Sequence, residues 1–82
     1  MEDKNVRKLG DTAIRILGKP RKTKDDIAIL IGATLESCKF QPKDTIDEAL
    51  RKIGIGEQEW RDKIMQERKI WIQYAIDLAI KR

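Results

Sequence analysis

The residues able to do chemistry in this chain are mostly cations. Gly18-Lys19-Pro20-Arg21-Lys22-Thr23-Lys24 sets four of them in seven residues around a proline. Proline keeps such a segment extended, and lysine or arginine on an extended arm can follow a phosphate backbone. A second basic group, Arg68, Lys69, Lys81 and Arg82, lies toward the C-terminus, where it also offsets a helix dipole. Catalytic chemistry has little to work with. There is no histidine and one cysteine, Cys38. This removes histidine-based proton transfer, every Ser-His or Cys-His pair, and a Cys/His zinc site within one chain. Asp25 and Asp26 are neighbours in sequence, but adjacent helical positions do not face one another, so they read as first-turn helix residues. The expectation is a protein that is not an enzyme, with no catalytic residues, no metal, no cofactor and no small-molecule substrate. Cys38 falls on an apolar helix face and is expected in the core.

Length and composition point the same way. Eighty-two residues suffice for one domain, 1–82, and not for two cores. A chain 40% hydrophobic and 39% charged is globular. No run of eighteen apolar residues and no signal-peptide pattern is present, so a cytoplasmic location and no membrane partner are expected. A single cysteine suits a reducing compartment. The formal charge of +4 is unevenly placed. Residues 1–24 hold eight Lys/Arg and three Asp/Glu, an excess of +5. Residues 25–62 hold five against nine, or −4, and residues 63–82 five against two, or +3.

The elements that must position these charges read as all-α, a compact four-helix domain. The first helix, from about Lys4 to Leu17, carries Val6, Leu9, Ala13, Ile16 and Leu17 at helical spacing and stops at Gly18 and Pro20. Thr23 is the N-cap of the second, whose stripe of Ile27, Leu30, Ile31, Thr34, Leu35 and Cys38 marks it as the most buried element. Gly32 can admit a neighbouring helix closely. Thr45 with Glu48 suggests a capping box for the third, which ends at Gly54. The fourth runs from about Glu57 to Lys81, near 37 Å at ~1.5 Å per residue. Trp60, Ile64, Trp71, Ala75 and Leu78 share its buried face.

Ala49 to Ile64, ALRKIGIGEQEWRDKI, has the layout of a helix-turn-helix. Gly54 sits where a left-handed residue ends the first helix, Ile55 plugs the corner, and Trp60 and Ile64 hold the second helix on the first. The stretch resembles the helix-turn-helix of small bacterial DNA-binding proteins such as the nucleoid factor Fis, over sixteen residues. Leu50 departs from the small residue usual at that helix crossing. The resemblance implies that the helix after the corner reads DNA, with Gln58 and Arg61 as base-contacting residues. Glu57, Glu59 and Asp62 on the same turns oppose a negative duplex. The basic loop is loosely similar to an AT-hook, with Lys19 in place of the arginine before the proline.

From Ile70 to Ile80 only Gln73 and Asp77 are not apolar. A helix apolar nearly all round is buried on more than one side, which three short helices hardly provide unless helix one wraps over its far face. A homodimer through this helix is therefore expected, with Ile70, Trp71, Tyr74 and Ile80 at the partner interface. Two functions follow. One is a dimeric DNA-binding regulator or accessory factor that clamps double-stranded DNA with Lys19, Arg21, Lys22 and Lys24. The other is a non-enzymatic helical module that docks another protein on the C-terminal helix.

Overall fold

In the computed structural model, which describes residues 4–82, helix α1 spans Lys4–Leu17. It buries Leu9, Thr12, Ala13 and Ile16. Thr12 is tolerated inside because its hydroxyl donates to the Lys8 carbonyl at 2.8 Å. Leu17, expected on the buried stripe, is 58% exposed, one helical step past Ile16. Residues 1–3 of the expected 1–82 domain lie outside the described residues.

Helix α2, Lys24–Ser37, begins with a complete capping box. The Asp26 N–H donates to the Thr23 hydroxyl at 3.1 Å, and the Thr23 N–H donates to the Asp26 carboxylate at 2.9 Å. Ala28, Ile29, Leu30, Ile31, Gly32 and Leu35 are buried, so this helix is enclosed on most of its circumference. Cys38 caps its end and rests half-buried against the core.

Helix α3, Lys43–Lys52, starts two residues before the expected capping box. Pro42 is its N-cap, with φ of −59° already helical, and its carbonyl takes the N–H groups of Thr45 and Ile46. Glu48 faces Arg51 at 3.9 Å. The C-terminus closes as a Schellman turn. Ile55 N–H donates to the Leu50 carbonyl and Gly54 N–H to the Arg51 carbonyl, each at 3.1 Å. Gly54 takes φ of +109°, a conformation only glycine adopts cheaply. Ile55 and Leu50, the pair whose contact accompanies such a turn, are both buried in one cluster.

The single helix expected over 57–81 is two: α4, Gln58–Gln66, and α5, Arg68–Ile80. The described chain therefore has five helices and no strand. The break at Glu67 (φ −105°, ψ +23°) involves neither proline nor glycine. It loses little hydrogen bonding, since Glu67 N–H donates to the Lys63 and Ile64 carbonyls and the Glu67 carbonyl accepts from Ile70 and Trp71. Its cause is tertiary: α4 lies on α3, while α5 lies mainly on α2 and also on α1.

Helix α2 sits between α1, α3 and α5. Two apolar clusters share it. Leu9, Ala13 and Ile16 meet Ile29, Leu30, Ala75, Ile76 and Ala79 in the first, and Ile31, Leu35, Ile46, Leu50, Ile55 and Ile64 form the second. Ile53 and Ile72 pack against both and join them. Gly32 lies against Ala75, and Asp26 against Arg82, so α5 runs antiparallel to α2. The radius of gyration is 11.8 Å, against about 11.7 Å for a close-packed chain of this length.

Candidate functional site

Three aromatic side chains gather in an open groove of about 380 Å³ between α2 and the α4–α5 arm. Ile27, Ala28 and Ile31 of α2 form one wall, and Trp60 of α4 with Trp71 and Tyr74 of α5 the other; Lys24 and Asp25 close one end. The Trp60 and Trp71 rings meet edge to face at 5.8 Å and 84°, and Trp71 and Tyr74 at 6.4 Å and 73°. The seating of α5 on Gly32 fixes this wall. The Trp71 carbonyl lies only 3.0 Å from where a β-carbon of residue 32 would stand. Trp60, expected as a core anchor, is instead 40% exposed, and Tyr74 is 47% exposed. The chain matches no known protein family, no curated protein and no solved structure.

The four expected interface residues do not form one patch. Trp71 is half-buried in the groove wall, and Ile70, one turn before Tyr74, is 66% exposed. Ile80 is exposed too, but six residues past Tyr74 on a helix is about 9 Å along the axis and about 120° round it. The other apolar residues of α5 are covered within the chain: Ala75, Ile76 and Ala79 are buried, and Ile72 and Leu78 are half-buried against the core.

At the α3–α4 corner the two expected base-contacting residues are engaged internally. Arg61, expected on an outward face, is 6% exposed. Its guanidinium donates from Nε to Asp47 at 2.8 Å, from Nη1 to the Ile55 carbonyl at 2.8 Å, and from Nη2 to the Gln58 side-chain oxygen at 2.8 Å. The Gln58 amide nitrogen donates to Asp47 and to Asp62. The Arg61 hydrogen bond holds the Asp47 carboxyl below its ordinary range, with Gln58 adding to this, against burial, which raises it. Spacing missed this clamp because Asp47 lies fourteen residues before Arg61, across the turn.

The basic loop centres on another carboxylate. Asp26 is fully buried. Lys19 Nζ lies 2.7 Å from one of its oxygens and Arg82 Nη2 2.6 Å from the other. Lys19, then the Thr23 N–H, hold its carboxyl far below the usual range; Arg82 adds to this and burial opposes it. The Lys22 ammonium donates to the Lys19 carbonyl at 3.2 Å, which folds the loop on itself. Arg21 and Lys24 are exposed. The signal for Asp26 was in the sequence, since Thr23 and Asp26 have capping-box spacing. Among the described residues no Cys, Asp and Glu cluster of three suits a metal, and no helix is long and apolar enough to cross a membrane.

Proposed function

We propose that this chain is a non-catalytic helical docking module whose aromatic groove receives the apolar side of a helix from a partner protein. The observation behind it is the groove itself: exposed Trp60 and Tyr74 beside Trp71, facing three aliphatic residues of α2. Tryptophan and tyrosine concentrate at interfaces because each offers a large rigid contact at small entropic cost. The α2 wall runs from Lys24 to Ile31, about 10 Å or two helical turns, which suits partner side chains at i, i+3 or i+4, and i+7.

A homodimer through the long C-terminal helix loses its main support, because one chain, bent at Glu67, covers most of the apolar residues of α5. DNA reading by a helix-turn-helix at 49–64 is weakened in a different way. Gly54 and Ile55 suit that motif, but Gln58 and Arg61 are tied to Asp47, and base contact would strip a buried carbonyl of its donor. The corner then serves to lock α4 on α3.

The test is selection of amphipathic helical peptides from a display library on the wild-type chain, with counter-selection on Tyr74→Glu. The two tryptophans of the chain both line the groove, so occupancy is read directly as a blue shift of intrinsic emission. Peptides that shift the wild-type spectrum and fail on Tyr74→Glu support docking. Enriched peptides that bind both proteins alike, or no enrichment at all, refute it. Sedimentation of the chain alone separates a second copy from a foreign partner.

A further inference from the structure

Two basic stretches about sixty residues apart in sequence meet at one end of the fold, joined through Asp26. We infer that this end, formed by loop 18–24 and the C-terminal end of α5, binds the phosphate backbone of duplex nucleic acid without reading its bases. The inference is independent of the groove and would stand if no peptide docked there.

Residues 18–26 and 81–82 hold six cations and two carboxylates, an excess of four that equals the formal charge of the whole chain. One of those carboxylates, Asp26, is fully buried and holds Lys19 and Arg82 in place as its two ion-pair partners. Lys19 and Arg82 keep side-chain exposures of 42% and 37% while held by it. Arg21, Lys22, Lys24 and Lys81 are exposed and have no ion pair with any described residue. The loop is shaped in advance by the capping box at Thr23, by turn bonds from Gly18 and Lys19 to the Arg15 and Ile16 carbonyls, and by Pro20. The C-termini of α1 and α5 both lie here, and their dipoles favour cations. Preorganised cations suit a polyanion that neutralises many charges at once.

The two residues expected to read bases, Gln58 and Arg61, do not belong to this surface. Its exposed donors are ammonium and guanidinium groups, which fit phosphate oxygens, with no exposed amide side chain beside them. An anionic lipid surface is the weaker fit. Insertion strength follows the apolar area buried, and this end presents helix ends with only Leu17 and Ile80 exposed among large apolar residues.

The test is fluorescence anisotropy of a labelled random duplex at about 50 and about 200 mM salt. With four to six phosphates contacted the salt slope is about −3.6 to −5.4, so affinity falls about 150-fold to about 2,000-fold over that range. Lys22→Ala and Lys81→Ala should each reduce the slope by about one, because loop and α5 end serve one surface. Lys52→Ala, an exposed cation on α3, should leave it unchanged. No binding at the lower salt, or a slope indifferent to Lys81→Ala, overturns the inference. So does tighter binding to phosphatidylserine vesicles than to the duplex at equal charge.

Discussion

Gly32→Ala tests the contact that holds the groove together. Gly32 is buried on α2, and a β-carbon there would overlap the Ala75 methyl and come within 3.0 Å of the Trp71 carbonyl oxygen and 3.5 Å of the Ile72 α-carbon. Two of these obstacles are backbone, so α5 as a whole must retreat. Overpacking of this kind costs about 2–3 kcal/mol, and alanine returns about 1 kcal/mol of helix propensity. The net loss is about 1–2 kcal/mol, or roughly 4–16 °C in Tm for a domain of this size. Urea titration followed by far-UV circular dichroism measures it, with an unchanged m-value showing that the fold persists. Ala75→Gly alone should cost about 2 kcal/mol, from propensity and one buried methyl. Were the sites independent, the double variant would lose about 3–4 kcal/mol. If the two methyls compete for one space, it stays within about 1 kcal/mol of wild type, since the propensity changes cancel. Tryptophan emission should shift to the red in Gly32→Ala and recover in the double variant. An additive double variant would refute the crossing.

Gly54→Ala should cost about 1–2 kcal/mol in the same titration through backbone conformation alone, because nothing lies near the new β-carbon. Gly56→Ala, without a positive φ, should change little. Arg61→Ala should lose about 1–3 kcal/mol for the Ile55 carbonyl it abandons, while Gln58→Ala stays near neutral. Retained stability in Arg61→Ala would remove the clamp. The folded-state shift of Asp26 is downward, so its contribution is fully present above the ordinary carboxylate value of about 3.9 and drains away as pH falls below it. Asp26→Asn should therefore flatten the acid limb of a stability–pH profile, and an unchanged limb would show that other carboxylates set it. Tyr74→Glu, on an exposed position, should keep the helical spectrum within about 0.5 kcal/mol of wild-type stability.

Much of this fold was legible in local sequence. Thr23 caps α2, Gly18 and Pro20 end α1, Gly54 ends α3, and α2 is the enclosed helix, because each signal acts within a turn or two of its own residue. The start of α3 was misplaced for a related reason. Thr45 and Glu48 have capping-box spacing, but Pro42 offers fixed φ and a free carbonyl three residues earlier, and the earlier start wins three more helical residues.

The groove was hidden because it depends on a bend that no residue type announces. Read as one straight helix, 57–81 places Trp60 and Trp71 on a common buried stripe, and the surplus apolar residues then demand a second copy. The bend at Glu67 changes both deductions. It lets Ile64 enter the cluster with Leu50 while Ala75 and Ala79 enter the cluster with Leu9, two cores that one rigid rod would have to satisfy together. Trp60, in the first turn of α4, turns from core anchor to groove wall. Arg61 left the surface for a separate, equally non-local reason: it pairs with Asp47 across the turn and supplies the donor for the Ile55 carbonyl. The charge of the basic loop and tail, by contrast, travelled well from sequence to structure, because Arg21, Lys22, Lys24 and Lys81 all stay exposed. What the sequence lacked was only that its two basic stretches share one buried carboxylate.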